Sequence, residues 1–170
     1  MRAKSCIQAL AGAAALAVAA AVITACNSSG AAQSYHPHVI YDSNANAQAE
    51  IDDAIAQAER QHKRIILDFG GNWCGDCKVL DYYFHQPPNS TLLDRNFVLV
   101  DIDIGQYDHN LDLAKRYDIP LQRGVPALAV LSPSGQLLYS QRNGEFEAMR
   151  RMDPNSVTEF LNHWKAPGNG

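Results

Sequence analysis

Asn72-Trp73-Cys74-Gly75-Asp76-Cys77, the stretch NWCGDC at residues 72–77, sets two cysteines three positions apart directly behind a tryptophan. A pair so spaced serves as a redox couple, as half of a metal site or as a structural disulfide, and only its surroundings distinguish these. Immediately upstream, Arg64-Ile-Ile-Leu-Asp-Phe69 is a short, nearly continuous apolar run, the pattern of a strand buried on both faces. Immediately downstream, residues 74–85 read as a helix with Cys77, Leu80 and Phe84 on one face, ended by Pro87-Pro88. The cysteines therefore fall on a strand-to-helix turn.

That placement has chemical consequences. Attack on a disulfide requires a thiolate, and an ordinary cysteine ionises only near pH ~8.5. Unpaired N–H groups and the dipole at a helix N-terminus favour the negative charge. Cys74 is accordingly the expected attacking thiol, exposed and ionisable. Cys77, one turn further in on the same face, is expected to be buried and to resolve a mixed disulfide. Gly75 allows close approach. Asp76 places a negative charge near Cys74 and is expected to oppose its ionisation, favouring a more reducing couple. Asp68, six positions before Cys74, lies among Ile65, Ile66, Leu67 and Phe69; a carboxyl buried there would have a raised pKa and could shuttle the proton of Cys77.

Working outward, helical periodicity begins near residue 47 with Ile51, Ala54, Ile55 and Ala58, and Asn44 or Asn46 can cap its start. Phe97–Asp103 reads as a second buried strand, residues 109–117 as a short helix, and Pro126–Leu131 as a third strand. Ser132-Pro133-Ser134-Gly135 has the composition of a type I turn leading into a fourth strand at 136–140. Asp153-Pro154 opens a last helix whose apolar stripe is Val157, Phe160, Leu161 and Trp164. The order α-β-α-β-α-β-β-α predicts an α/β fold with a central mixed sheet flanked by helices.

The 170 residues carry a net charge of −4, so no basic field points to nucleic acid. Arg2 and Lys4 precede an alanine-rich, uncharged run over 7–25, the pattern of a secretory signal, and Ile23-Thr24-Ala25-Cys26 resembles a bacterial lipobox. Residues 1–25 are thus read as a lipoprotein signal peptide, Cys26 as the lipidated residue, 26–46 as a flexible tether and 47–166 as the folded domain. Acyl chains on Cys26 would anchor the domain to a bacterial membrane, facing the periplasm or the exterior. Of the four cysteines, Cys6 would be removed with the signal, leaving Cys74 and Cys77 as thiols in an oxidising compartment. His36-Pro37-His38 in the tether reads as a solvated bystander.

"LDFGGNWCGDC" (67–77) with "RGVPAL" (123–128) resembles the thioredoxin superfamily over about residues 47–165. The resemblance implies a thioredoxin-like fold, a cis-proline at Pro126 packed against the CxxC, and a backbone at Val125 that pairs with an extended substrate. It further matches Asp68 to the family's buried acid and Trp73 to its tryptophan beside the nucleophile, with an expected role in shielding or substrate contact. Asp76 stands where cytosolic thioredoxins commonly have proline. The stretches Phe84–Asn96 and Ile119–Arg123 also depart from the small cytosolic form, and the whole resembles membrane-tethered or periplasmic thioredoxin-like proteins, including the C-terminal domains of thiol–disulfide interchange reductases.

The implied activity is thiol–disulfide oxidoreduction, with no cofactor beyond a redox-active Cys74–Cys77 disulfide and no resident metal. Its partners would be disulfide-containing exported proteins or another thiol oxidoreductase. The alternative is a thioredoxin-fold metal-binding or metallochaperone module, since two thiolates suit Cu(I) or Zn. A closed zinc site needs four ligands, however, and the chain has no second CxxC. His85 and His109 read as surface residues. A third reading, purely structural cysteines, leaves the co-occurrence of Asp68, Trp73 and Val125-Pro126 unexplained.

Overall fold

A computed structural model describes residues 39–167. The signal peptide, Cys6, Cys26 and His36-Pro37-His38 lie outside the described residues. The elements in chain order are α1 (Ala47–Gln61), β1 (Arg64–Gly70), α2 (Gly75–Phe84), α3 (Asn89–Asn96), β2 (Phe97–Asp103), α4 (Leu111–Arg116), β3 (Ala127–Leu131), β4 (Leu137–Ser140) and α5 (Asn155–Trp164). Single 3₁₀ turns fall at Leu121–Arg123 and Met149–Arg151.

The sheet is mixed, in the order β2-β1-β3-β4. β1 pairs parallel with β2 and antiparallel with β3, and β3 pairs antiparallel with β4. β1 is therefore central, and six of its seven residues are buried, which is why its sequence lacks polar alternation. Ile65, Leu67 and Phe69 join one apolar cluster with Ile51, Ala54 and Ala58 of α1 and Leu113 and Ala114 of α4. Ile66, with Leu128 and Val130 of β3, joins the other, with Leu80 and Phe84 of α2, Leu93 of α3 and Phe160 and Leu161 of α5. Each fully buried large apolar side chain contributes roughly 1.5–3 kcal/mol.

The helix ends follow local chemistry. Asn46, rather than Asn44, caps α1, its Oδ1 accepting from the Ala49 N–H at 3.1 Å. Asp153 Oδ1 accepts from the Asn155 N–H at 2.9 Å at the start of α5. Two features depart from the sequence-based expectation. Pro87-Pro88 ends α2 but also opens α3, a helix the apolar periodicity did not reveal. Proline is tolerated at a helix start because the N–H it lacks has no intrahelical acceptor there. The folded unit also begins before residue 47: Ile40 and Tyr41, assigned to the tether, are buried, Tyr41 completely. The composition of 26–46 is tether-like on average, but Ile40 and Tyr41 within it are apolar enough to pack against the core.

Candidate functional site

Cys74 and Cys77 are joined as a disulfide with Cα atoms 5.3 Å apart, within the ordinary range for the bond. Cys74 is the N-cap of α2, and its Sγ accepts the Cys77 N–H at 3.0 Å. A helix-terminal donor thus points at the Cys74 sulfur, a geometry that favours negative charge on a reduced thiol. Cys77 is fully buried. Cys74 retains only 5% of its surface, less than expected of an exposed nucleophile, because its Sγ lies against the loop before β3, 3.4 Å from the Val125 carbonyl oxygen. The Val125–Pro126 peptide bond is cis.

The Pro126 loop is held from behind by Gln141, a buried residue that sequence reasoning passed over. Its Nε2 donates to the Pro126 carbonyl at 3.0 Å and its Oε1 accepts the Leu128 N–H at 3.1 Å. One amide thus satisfies two backbone groups that would otherwise be buried without partners.

Asp68 sits within β1 and is 1% exposed. Burial raises its pKa well above the usual carboxylate range; Asp101, its register partner on β2, adds to the rise. A hydroxyl bond from Tyr41 to Asp68 Oδ2, at 2.8 Å, pulls the other way. Among the described residues, Asp68 Oδ1 has no hydrogen-bond partner. A β-carbon at Gly70 would lie 2.3 Å from the Tyr41 hydroxyl and 3.0 Å from Cys77 Sγ, so the glycine makes room for the phenol end beside the buried sulfur. Asn72 ties Tyr41 in place: its Oδ1 accepts the Ile40 and Tyr41 N–H groups at 3.0 and 3.3 Å, and its Nδ2 donates to the Tyr41 carbonyl at 2.6 Å. Neither Tyr41 nor its clamp was identified from sequence; the Asn of the opening motif was the available signal.

Further acids flank this buried group. Burial, followed by the charge of Asp81, raises Asp101 to about 7. His85 is raised to about 9, chiefly by its hydrogen bond with Asp81, whose Oδ1 lies 3.2 Å from Nδ1.

Trp73 is 45% exposed, its Nε1 donating to the Gly105 carbonyl at 2.6 Å and its ring against Tyr107, centroids 5.5 Å apart. On the opposite side, Asp76 is paired with Arg150, contrary to the expectation of an uncompensated charge. The Arg150 N–H donates to Asp76 Oδ1 at 2.9 Å, and Nε and Nη2 donate to Oδ2 at 3.1 and 2.9 Å. These bonds hold the Asp76 carboxyl below its ordinary pKa. Seventy-four residues separate the partners, so local spacing held no hint of the pair. His109 lies 3.4 Å from Asp103 and is largely exposed. Among the described residues, no group of three or more His, Cys, Asp or Glu is placed to hold a metal ion.

A disulfide at a helix start, its Cys74 sulfur against a cis-proline loop at the end of a four-stranded mixed sheet, is the arrangement of a thioredoxin-like protein. Residues 46–133, just over half of the chain, match the model of the thioredoxin-like family. The chain belongs to that family. The crystal structure of a disulphide isomerase from Xylella fastidiosa Temecula1 is similar at a TM-score of 0.71 and 34% identity, over 75% of this chain and 98% of that one. A thioredoxin from Thermus thermophilus shares the fold at a TM-score of 0.50 and 19% identity, over 66% and 81% of the two chains. The thiol:disulfide interchange protein DsbD of Pseudomonas fluorescens is 29% identical over 119 residues, 68% of this chain but only 18% of DsbD. The chain therefore spans under a fifth of that relative's length.

Proposed function

We propose that this chain exchanges disulfides in exported proteins, or passes electrons to another thiol enzyme, through Cys74 and Cys77. The observation that carries the reading is the position of Cys74 Sγ, which accepts a helix N-terminal N–H and faces the Val125 carbonyl beside cis-Pro126. In the reduced protein, the Cys74 thiolate attacks one sulfur of a substrate disulfide and the other leaves as a thiolate. Cys77 then attacks Cys74 Sγ, the second substrate thiolate leaves, and the protein is left as the Cys74–Cys77 disulfide. Two electrons have passed to the substrate, and an upstream thiol must return them. Asp68, whose pKa burial raises, accepts the Cys77 proton when it is in its ionised form, directly or through water. Trp73 and the Val125 backbone provide contacts for the substrate segment. Lipidation at Cys26, on the motif Ile23-Thr24-Ala25-Cys26, would hold the domain at a membrane outside the cytoplasm. Among the described residues, no helix is long and apolar enough to cross a membrane.

The purified protein should accelerate insulin reduction by dithiothreitol by at least about tenfold over Cys74→Ser. Equal rates for the two would remove the oxidoreductase reading.

A further inference from the structure

The segment between β4 and α5, residues 141–154, borders the site at two points. Glu147 covers Gly124, its Cβ 3.0 Å from where a Gly124 side chain would begin. Three residues later, the Arg150 guanidinium lies over Gly75, with Cζ and Nη1 each 3.6 Å from the position of a Gly75 Cβ, while Nε and Nη2 grip Asp76. The two residues between the cysteines are thus one bare backbone unit and one carboxylate, both covered by the same cation. The side chain of Arg150 is 67% exposed and that of Asp76 only 13%. The carboxylate is held in place, and the guanidinium is anchored by it rather than by packing.

We propose that Arg150 is a positioning residue that sets the redox equilibrium of the Cys74–Cys77 couple by cancelling the charge of Asp76. The inference rests on the couple being redox-active, as proposed above. The charged residues around this dipeptide are Asp76 itself on α2 and Glu147, Arg150 and Arg151 on the segment before α5, Arg151 acting on the Asp76 carboxyl through its charge. Only Asp76 and Arg150 lie within or directly over the dipeptide between the cysteines. With both present, the dipeptide carries no net charge. Removing the cation exposes Asp76 to the Cys74 thiolate and destabilises the dithiol form. Removing the anion leaves Arg150 uncompensated and stabilises it.

The equilibrium to measure is protein disulfide plus two glutathione thiols against protein dithiol plus glutathione disulfide. Two electrons and two protons move from glutathione to the Cys74–Cys77 bond. Arg150→Met should lower the equilibrium constant about threefold and Asp76→Asn should raise it about threefold, the size expected of one charge acting at close range through water. The double variant should return close to wild type, and 0.5 M salt should shrink both single shifts. Arg150→Met retains the backbone N–H that donates to Asp76 Oδ1, and Asp76→Asn retains an acceptor for it, so the segment stays tied in each. Opposite single shifts that cancel in the double are not produced by loosening the fold. If the wild type titrates reversibly and the single variants match it, or both move the same way, the inference fails while the oxidoreductase reading stands. A wild type with no reversible transition would sink both.

Discussion

Asp68 is the acidic residue of β1, among Ile65, Ile66, Leu67 and Phe69, and burying its carboxyl there costs stability at neutral pH; the proposed proton transfer depends on the same group. Its pKa in the folded protein is raised by burial, so the native state holds a proton that the unfolded chain releases near pH ~3.9. The sign follows: stability is fully present below the unfolded pKa and is lost as pH rises above it toward the folded value. Asparagine reproduces the neutral acid, with an oxygen for the Tyr41 hydroxyl, but cannot exchange a proton. Asp68→Asn should therefore raise the Tm of the oxidised protein at pH 7 by roughly a few degrees and leave it unchanged at pH 3.5. It should also slow release of mixed disulfides by about a hundredfold. Thermal unfolding at the two pH values and single-turnover insulin reduction check this; a lower Tm at pH 7 would mean that the fold holds the ionised acid. The acid itself was legible, because a carboxyl among branched apolar residues is conspicuous. Its Tyr41 partner was not, since the two are 27 residues apart and Tyr41 lies at the end of a polar stretch.

At the scale of elements, the segment between β4 and α5 has little regular structure yet is anchored at three places. Gln141 bonds to the Pro126 loop, Phe146 meets Phe160 edge-on at 5.1 Å, and Met149 is fully buried. Met149 directly precedes Arg150, so its packing fixes where the guanidinium can lie. Met149→Ala should destabilise the oxidised protein by about 2–4 kcal/mol. It should also shift the glutathione equilibrium in the direction of Arg150→Met. Urea unfolding and the glutathione titration test both; unchanged stability would show that Met149 is not the anchor. Elements defined by periodicity, α1, β1, α2, β2 and α5, were readable to within a few residues. α3 was not, because a proline pair reads as a stop whether or not another helix starts behind it. This segment was not, because its anchors are single residues without a period.

Among the described residues, two helices cover one face of the sheet and three the other, and the Cys74–Cys77 disulfide sits at the end of the central strand where β1 turns into α2. The proposed lipid anchor would hold this site near a membrane. Cys26→Ala should move the protein from the membrane fraction to the soluble fraction almost entirely, as judged by fractionation with immunodetection. Retention in the membrane would point to an uncleaved N-terminal anchor instead.

The sequence by itself determined the class of chemistry and the scaffold that presents it. Two thiols at a strand-to-helix turn, an acid in the preceding strand and a Val-Pro before the third strand are local patterns, and local patterns are written in order along the chain. Tertiary structure alone decided the electrostatics and support of the site. Arg150 reaches Asp76 across 74 residues, Tyr41 reaches Asp68 across 27, and Gln141 reaches the Pro126 carbonyl across 15. Charge pairing and hydrogen bonding depend on distance in space, and no periodicity along the chain records which distant side chains the packing of the two cores brings together.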